Sequence, residues 1–193
     1  MVALMDGTGS SQFCGGTLVA SKYVVTAAHC MFSDQNAQQP LTTSQVKVRI
    51  GDHDIAATGE TSIAEKTIAV SKITNHPSYN PAGGSLNNDI TVLELAEAVD
   101  LNVYTPACLA QTSDEATFYG KTAQVYGWGI TSSGGAASSK LLEVDVPVVT
   151  PTQCATTMGL MEAGMICAGG VAGKDSCQVN IKVSPQKYLN EPL

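Results

Sequence analysis

The segment 13–30, FCGGTLVASKYVVTAAHC, carries the clearest fold signal in this sequence. Two runs rich in β-branched and apolar residues lie on either side of a polar turn at 21–22, and this pattern predicts a hairpin of two strands. His29 follows the second run, directly after two alanines. An isolated histidine in such a place is by default an ordinary loop residue. A disulfide between Cys14 and Cys30 would instead fix the imidazole in space, which a general base requires.

Short strand-like runs continue along the rest of the chain. Alternating or β-rich runs occupy 45–51, 67–76, 89–99, 122–130 and 141–150. In the run 89–99, alternation places Ile90 and Val92 on one face, with Glu94 as a further candidate for that face. Many short strands with glycine-rich turns indicate an all-β protein, built either as a sandwich or as barrels.

Helical periodicity is scarce by comparison. One short helix is predicted near 150–159, TPTQCATTMG, with Thr150 or Thr152 as its N-cap. The polar stretch 109–120 is a natural connector between two strand-rich halves.

Composition narrows the function classes. The chain has 193 residues, a formal net charge of −7 and only 14% charged residues. An acidic protein without a basic face is a poor candidate for nucleic-acid binding. Apolar runs also stay below the roughly 18 residues that span a membrane. The six cysteines form no C-x-x-C pair, so a tetrahedral zinc site has little sequence support, and their wide spacing suggests an extracellular disulfide framework.

Several motifs, taken in chain order, resemble those of the chymotrypsin- and trypsin-like serine proteases. They are TAAHC (26–30), NNDITVLEL (87–95), YGWG (126–129), MICAGG (165–170) and GKDSCQ (173–178). The resemblance implies an all-β fold of two antiparallel six-stranded β-barrels, the second of them incomplete. It places an N-terminal barrel at 1–108, the connector at 109–120, a partial C-terminal barrel at 121–178 and a non-family tail at 179–193.

The resemblance also implies roles for individual residues. His29 matches the general base, and Asp89 matches the carboxylate that orients it. Asp175 matches the base of the primary specificity pocket, where an acidic residue selects substrates with Arg or Lys before the scissile bond. Each has an ordinary alternative: Asp89 could simply precede a strand and accept local backbone hydrogen bonds, and Asp175 could be a solvated loop residue beside Lys174.

The match breaks after GKDSCQ. The family continues with Gly-Asp-Ser-Gly-Gly, whereas this chain continues with Val179, Asn180 and Ile181. Ile181 stands at the nucleophile's place and has no atom that can attack a carbonyl. Neither Ser176 nor Ser184 stands at that place. Loss of the nucleophile costs on the order of 10⁶ in turnover in a worked serine-protease case, so we expect no peptide hydrolysis.

The cysteines pair by resemblance as Cys14–Cys30 and Cys154–Cys167. Cys108 and Cys177 are left unpaired, because the family's partners for them would lie upstream and downstream of this sequence. The start also lacks the basic and apolar regions of a signal peptide, which predicts an incomplete N-terminus. The two unpaired cysteines predict a sequence truncated at both ends relative to a secreted protease.

No cofactor is expected, with one open alternative. The segment 51–60, GDHDIAATGE, resembles the family's calcium loop, with Asp52 and Glu60 as candidate oxygen ligands. A plain acidic turn is an equally good interpretation. His53 and His76 are expected to be surface histidines.

Two functional hypotheses follow from the resemblance. In the first, a complete protease cleaves peptides or proteins after Arg or Lys and binds protease inhibitors. This sequence is then an incomplete or mis-spliced form of that protease. In the second, the chain is a non-catalytic homologue that acts as a binding or regulatory protein. Both place the protein outside the cell.

Overall fold

A computed structural model of the chain describes most of its residues. The described ranges are 1–33, 36–83, 87–111, 114–131, 134–158, 164–171 and 182–184. They belong to two compact units, one of residues 1–107 with 139–141 and the other of residues 108–138 with the chain from 142 onward.

The strands and helices are short and alternate with turns. The strands are β1 (Val2–Asp6), β2 (Gln12–Ala20), β3 (Tyr23–Thr26), β4 (Phe32–Ser33), β5 (Asn36–Pro40), β6 (Val46–Ile50), β7 (Lys66–Asn75), β8 (Thr91–Leu95), β9 (Thr122–Gly127), β10 (Leu142–Val149), β11 (Cys167–Ala168) and β12 (Lys182–Ser184). The α-helix is α1 (Pro151–Met158), and 3-10 turns occupy His29–Met31, Thr43–Gln45, Pro81–Gly83 and Glu115–Phe118.

The first unit is a closed antiparallel barrel with the strand order β1-β2-β3-β8-β7-β6. β1 closes the ring because it pairs with β2 on one side and with β6 on the other. Closure leaves none of these six strands with a free edge. The all-β fold with a six-stranded first barrel is therefore confirmed.

Alternating side chains fill this barrel. Along β8, Thr91, Leu93 and Leu95 are buried, as the period of two in a strand requires. The opposite face of this segment carries the residues that sequence alternation grouped together: Ile90 is 45% exposed and Val92 is 36% exposed. The apolar side chains that the pattern emphasised thus lie outside the barrel core.

Gly16 explains the double glycine of the CGG motif. A Cβ atom built on Gly16 would lie 2.7 Å from Cγ1 of Val24 and 3.1 Å from Cγ2 of Val2. The neighbouring strands β1 and β3 therefore approach β2 more closely than any side chain at this position would allow.

The second unit contains a four-stranded antiparallel sheet with the order β11-β10-β9-β12. Its core is formed by alternate residues of β9 and β10, namely Ala123, Val125, Val146 and Val148. Within the described residues this sheet does not close into a barrel. β12 belongs to the tail that follows the family motifs, and it pairs with β9 in the register Lys182↔Tyr126, Val183↔Val125 and Ser184↔Gln124.

Helix α1 follows β10 and begins as the sequence predicted. The hydroxyl of Thr150 accepts a hydrogen bond from the backbone N–H of Gln153, and the Gln153 side chain accepts one from the backbone N–H of Thr150. This reciprocal pair is a capping box, so Thr150 and not Thr152 is the N-cap. Among the residues that the structure describes, no helix combines the length and apolar character needed to cross a membrane.

The described residues contain two disulfides, and each of them joins cysteines of the same unit. Cys14–Cys30 links β2 to the turn after β3, and Cys154–Cys167 links α1 to β11. Cys108 is exposed and free.

Candidate functional site

His29 stands where the third strand of the barrel ends. β3 stops at Thr26, and a 3-10 turn begins at His29 with Cys30 and Met31 buried behind it. The disulfide between Cys30 and Cys14 ties this turn to β2, with 6.1 Å between the two Cα atoms. The His29 side chain remains 50% exposed. The sequence thus folds into an anchored turn that presents an imidazole to solvent.

Asp89 holds His29 by two contacts, one to its backbone and one to its imidazole. Its Oδ1 accepts a hydrogen bond from the His29 backbone N–H at 2.7 Å, and its Oδ2 lies 2.7 Å from His29 Nδ1. An ionised carboxylate can only accept hydrogen bonds, so Nδ1 must carry the proton. In the neutral ring, Nε2 is then the nitrogen with a free lone pair.

The pKa of Asp89 agrees with an ionised carboxylate. Burial alone would raise this pKa, but hydrogen bonds from the side chain and backbone of His29, and from the backbone of Ala28, lower it below the usual value for aspartate. The carboxylate therefore stays charged across the neutral pH range.

Asn88 places Asp89 by an uncommon backbone conformation. Its φ is 60°, in the left-handed region, and its carbonyl oxygen accepts a hydrogen bond from Ile90 N–H at 2.7 Å. Asparagine tolerates this region better than most residues, because its short polar side chain can bond locally. Asn88 is thus a conformational signal as well as part of a motif.

Tyr79 is a neighbour of the site that the sequence did not single out. Burial, followed by the charge of Asp89, raises the pKa of its phenol. Its ring lies 5.6 Å from the ring of Phe32, centroid to centroid, at a tilt of 47°. Neither residue belongs to one of the family motifs identified in the sequence, and folding alone brings the two rings together.

A second polar cluster lies in the loop between β6 and β7. Carboxylate oxygens of Asp52, Glu60 and Glu65 lie within 4.8 Å of one another. The backbone N–H groups of His53 and Asp54 donate to Oε1 of Glu60 at 3.1 and 2.8 Å, which folds the loop back on itself. Sequence reasoning found Asp52 and Glu60 but missed Glu65, which stands next to the start of β7.

This acidic cluster has unsatisfied buried oxygens. Oδ1 of Asp52 and Oε2 of Glu65 are buried and have no hydrogen-bond partner within the described part of the chain. Burial, and then the charge of Glu60, raises the pKa of Asp52, although Arg49 Nη1 lies 3.4 Å from its Oδ2. Two buried carboxylate oxygens without a hydrogen-bond partner, within a cluster of three carboxylates, fit a divalent cation that takes oxygen ligands, such as calcium.

The remaining predicted site residues divide into two groups. Asp175, Cys177, Val179, Asn180 and Ile181 lie outside the described residues. Of the two other histidines, His53 is exposed in the acidic loop, and His76 is half-buried with its Nδ1 accepting a hydrogen bond from Ser78 N–H at 3.2 Å.

Comparison with known proteins decides the family. The family model described as Trypsin matches residues 1–180. The chain belongs to the trypsin family. The match ends at residue 180, and it covers the segments that carry His29 and Asp89. Trypsin-like, peptidase S1 and serine protease are therefore correct descriptions of the domain.

Individual relatives agree with this assignment. Trypsin I-P1 of Gallus gallus is 36% identical, and the aligned region covers 86% of this chain and 61% of the relative. Phenoloxidase-activating factor 3 of Holotrichia diomphalia is 34% identical over 92% of this chain and 53% of its own length. The chain thus spans about three fifths of the length of the first relative and about half the length of the second.

A solved structure supports the fold. Neuropsin, a serine protease expressed in the limbic system of mouse brain, superposes with a TM-score of 0.76 and 28% sequence identity. The superposition covers 95% of this chain and 75% of neuropsin.

Proposed function

We propose that this chain is a trypsin-family serine endopeptidase domain that retains a general base and its orienting carboxylate but lacks a nucleophile. The observation that carries the proposal is the double contact of Asp89 with His29, at 2.7 Å to the backbone N–H and 2.7 Å to Nδ1. In that arrangement Nε2 could accept a proton from a hydroxyl group. Ile181 offers no hydroxyl group, so no acyl-enzyme forms and peptide bonds are not cleaved.

The first experiment tests inactivity. The purified chain is assayed on Arg and Lys ester substrates beside the matched variant His29→Ala. We expect equal background rates for both proteins, because a base without a nucleophile has no proton to remove. Turnover that depends on His29 and is blocked by a serine-directed inhibitor would contradict the proposal.

In a complete form of the domain, Asp175 would set a preference for Arg or Lys, and proteins or peptides would be the substrates. A desolvated carboxylate at the base of a pocket needs a cationic partner. Benzamidine, a small organic cation, serves as the probe of this pocket in the present chain. We expect calorimetric binding that is lost in Asp175→Asn and kept in Asp114→Asn. Equal binding by both variants would refute the pocket assignment.

A second candidate function is the binding or regulation of other proteins by a non-catalytic protease homologue. What favours it is β12, because residues 182–184 pair with β9 at three successive positions although they follow the loss of the family sequence. The tail thus contributes an edge strand to the second sheet, as a non-catalytic homologue with a folded second unit would require. The competing mis-splicing hypothesis predicts genomic DNA that encodes Gly-Asp-Ser-Gly-Gly after the codon for Gln178.

Two deletions test the role of β12. Deletion of 182–193 removes the strand, whereas deletion of 185–193 leaves it in place and is the matched control. We expect faster hydrogen exchange of the β9 amide groups in the first deletion only. Equal exchange in the two deletions would argue against a structural role for the tail and favour the mis-splicing hypothesis.

We further propose that the acidic loop binds calcium through Asp52, Glu60 and Glu65. Three carboxylates lie together, Arg49 Nη1 lies 3.4 Å from Oδ2 of Asp52, and two of the buried carboxylate oxygens have no hydrogen-bond partner within the described residues. At a calcium concentration of 100 times Kd, binding to the native state alone adds about 2.7 kcal/mol to the free energy of unfolding. That corresponds to an increase in Tm of roughly 5–10 °C for a chain of this size.

The calcium test compares thermal unfolding in calcium and in a chelator. Asp52→Asn and Glu65→Gln should lose most of the calcium-dependent rise in Tm. Glu97→Gln is the control, because Glu97 is exposed and its ion pair with Lys66, at 3.0 Å, involves none of the three proposed ligands. A wild-type Tm that calcium does not change would refute this site and leave the protease assignment untouched.

The proposed location is extracellular. The two disulfides within the described residues support it, because such bonds persist in oxidising compartments and are rare in the cytosol. Mass spectrometry of the secreted protein under non-reducing conditions should recover Cys14–Cys30 and Cys154–Cys167 as linked peptides. Recovery of both pairs as free thiols from the native source would contradict this location.

A further inference from the structure

The outer face of β3 and β8 carries apolar side chains that are open to solvent. Tyr23 on β3 is 43% exposed, Val92 on β8 is 36% exposed, and Ile90, directly before β8, is 45% exposed. Their chain neighbours Val24 and Thr91 are buried in the barrel. Because side chains alternate between the two faces of a strand, the three exposed residues point away from the barrel core.

The strand register joins these residues into one patch. Val25 of β3 lies directly opposite Val92 of β8, and Tyr23 lies opposite Glu94 in the next row. Residues in opposite positions have Cβ atoms about 4.5–5.5 Å apart, which is close enough for side-chain contact. Ile90 is two residues from Val92 and therefore shares its face. We call Tyr23, Val25, Ile90 and Val92 the outer patch.

A partner must contact the outer patch through side chains. The barrel is closed, so β3 and β8 have neighbouring strands on both sides and offer no free edge to another strand. An apolar patch that is open to solvent is typical of a surface that another protein covers. The outer patch is therefore a candidate protein interface.

The charges beside the outer patch favour a second copy of this chain as the partner. Lys72 of β7 lies directly opposite Glu94 of β8, one row from Val92. The chain has a net charge of −7, so two copies repel each other in most orientations. Lys72 and Glu94 cancel locally, and two such faces meet with both signs of charge available on each side. A partner with one sign of charge would be attracted by one of these residues and repelled by the other.

We propose that the outer patch is the interface of a twofold homodimer. A twofold axis places the same patch on both copies, so every contact occurs twice. With the axis at Val92 and the strands crossed near a right angle, Val92 meets its own copy and Ile90 meets Val25 of the other copy. The same rotation brings Lys72 and Glu94 of the two copies into one group of four charges, two of each sign.

The interface is small, because it consists of a few side chains on two neighbouring strands and the charged pair beside them. Interfaces at the small end of the range associate weakly, so we expect a Kd of about 10–100 μM. Cys108 is exposed and free, and a disulfide between two copies would give a dimer of a different kind. Samples are therefore also run on denaturing gels without reductant.

The experiment is sedimentation equilibrium of the full chain between about 5 and 500 μM, a range that brackets the expected Kd. We expect a monomer–dimer equilibrium in the wild-type protein. Val92→Glu should raise Kd by at least about tenfold, because a carboxylate without a partner would be buried in the interface. Val92→Thr keeps the branched shape and the strand preference, and it should raise Kd less. Val103→Glu is the matched control, because Val103 is 42% exposed in the turn after Asp100, outside the outer patch.

Charge reversal tests the choice of partner. Lys72→Glu should raise Kd by about tenfold, and the double variant Lys72→Glu/Glu94→Lys should restore the wild-type value, since it returns one charge of each sign to the face. Thermal unfolding checks that each variant is folded, and if Val92→Glu is not, Val92→Thr and the charge reversals decide the question.

Four results would overturn the proposal. They are a monomer at every concentration, an unchanged Kd in Val92→Glu, equal effects of Val92→Glu and Val103→Glu, and a dimer that only a disulfide holds together. None of them would affect the assignment of the chain to the trypsin family.

Discussion

Asp89→Asn is the substitution that most directly tests the site. The asparagine Oδ1 can still accept from the His29 backbone N–H, now held at 2.7 Å, but the amide group can no longer accept from Nδ1. A hydrogen bond to a charged group contributes about 1.5–3 kcal/mol. Because the His29 side chain is 50% exposed, solvent screening reduces this figure, and we expect a loss of about 1–2 kcal/mol.

The tautomer of His29 is the more specific readout. The asparagine N–H₂ group would donate to Nδ1, so the ring proton should move to Nε2, and ¹⁵N NMR of the imidazole distinguishes the two forms. Asp100→Asn is the matched control, because Asp100 also accepts two hydrogen bonds, both from Asn102 at 2.9 Å, in an exposed turn. An unchanged tautomer, together with a stability loss no greater than that of Asp100→Asn, would refute the orienting role.

Three further outcomes are expected. Gly16→Ala should destabilise the barrel by about 1–3 kcal/mol in urea unfolding, because the new methyl group overlaps Val24; an unchanged midpoint would contradict this. Thr150→Ala should cost about 1 kcal/mol and Thr152→Ala much less, since only the first is the N-cap. Because the pKa of Asp52 is raised in the folded state, its favourable contribution exists below the ordinary aspartate pKa and is lost as pH rises through the folded value. Asp52→Asn should therefore raise Tm in chelator at pH 7 and lower it in calcium; a fall in both would contradict the sign.

The sequence predicted the strands of the first barrel well, and for a physical reason. Runs such as 45–51 alternate, and β6 buries Val46, Val48 and Ile50 in the same alternation. Alternation does not state which face of a strand is buried, however. Ile90 and Val92 do lie on one face, but that face is the exposed one. Only the closure of the barrel assigned that face to solvent.

The tail shows a different limit. Residues 182–184 lie beyond the part of the chain that the family model matches, and three residues are too few for any periodicity to be read. Their pairing with β9 depends on backbone hydrogen bonds, which any residue with an N–H and a C=O can form. Motif reasoning depends on side-chain identity, so it could not find a strand that backbone hydrogen bonds hold in place.

Motifs in the sequence determined the family and the all-β class, and they predicted the roles of His29 and Asp89 and a break at Val179. These features depend on residue identity at particular positions, which the sequence states directly. The tertiary structure alone decided that Asp89 reaches both the backbone and the ring of His29, that Glu65 joins Asp52 and Glu60, and that the His29 ring lies against the Cys14–Cys30 sulfurs. Such contacts join residues far apart in the chain, and only the packing of the barrel strands fixes the distances on which their chemistry depends.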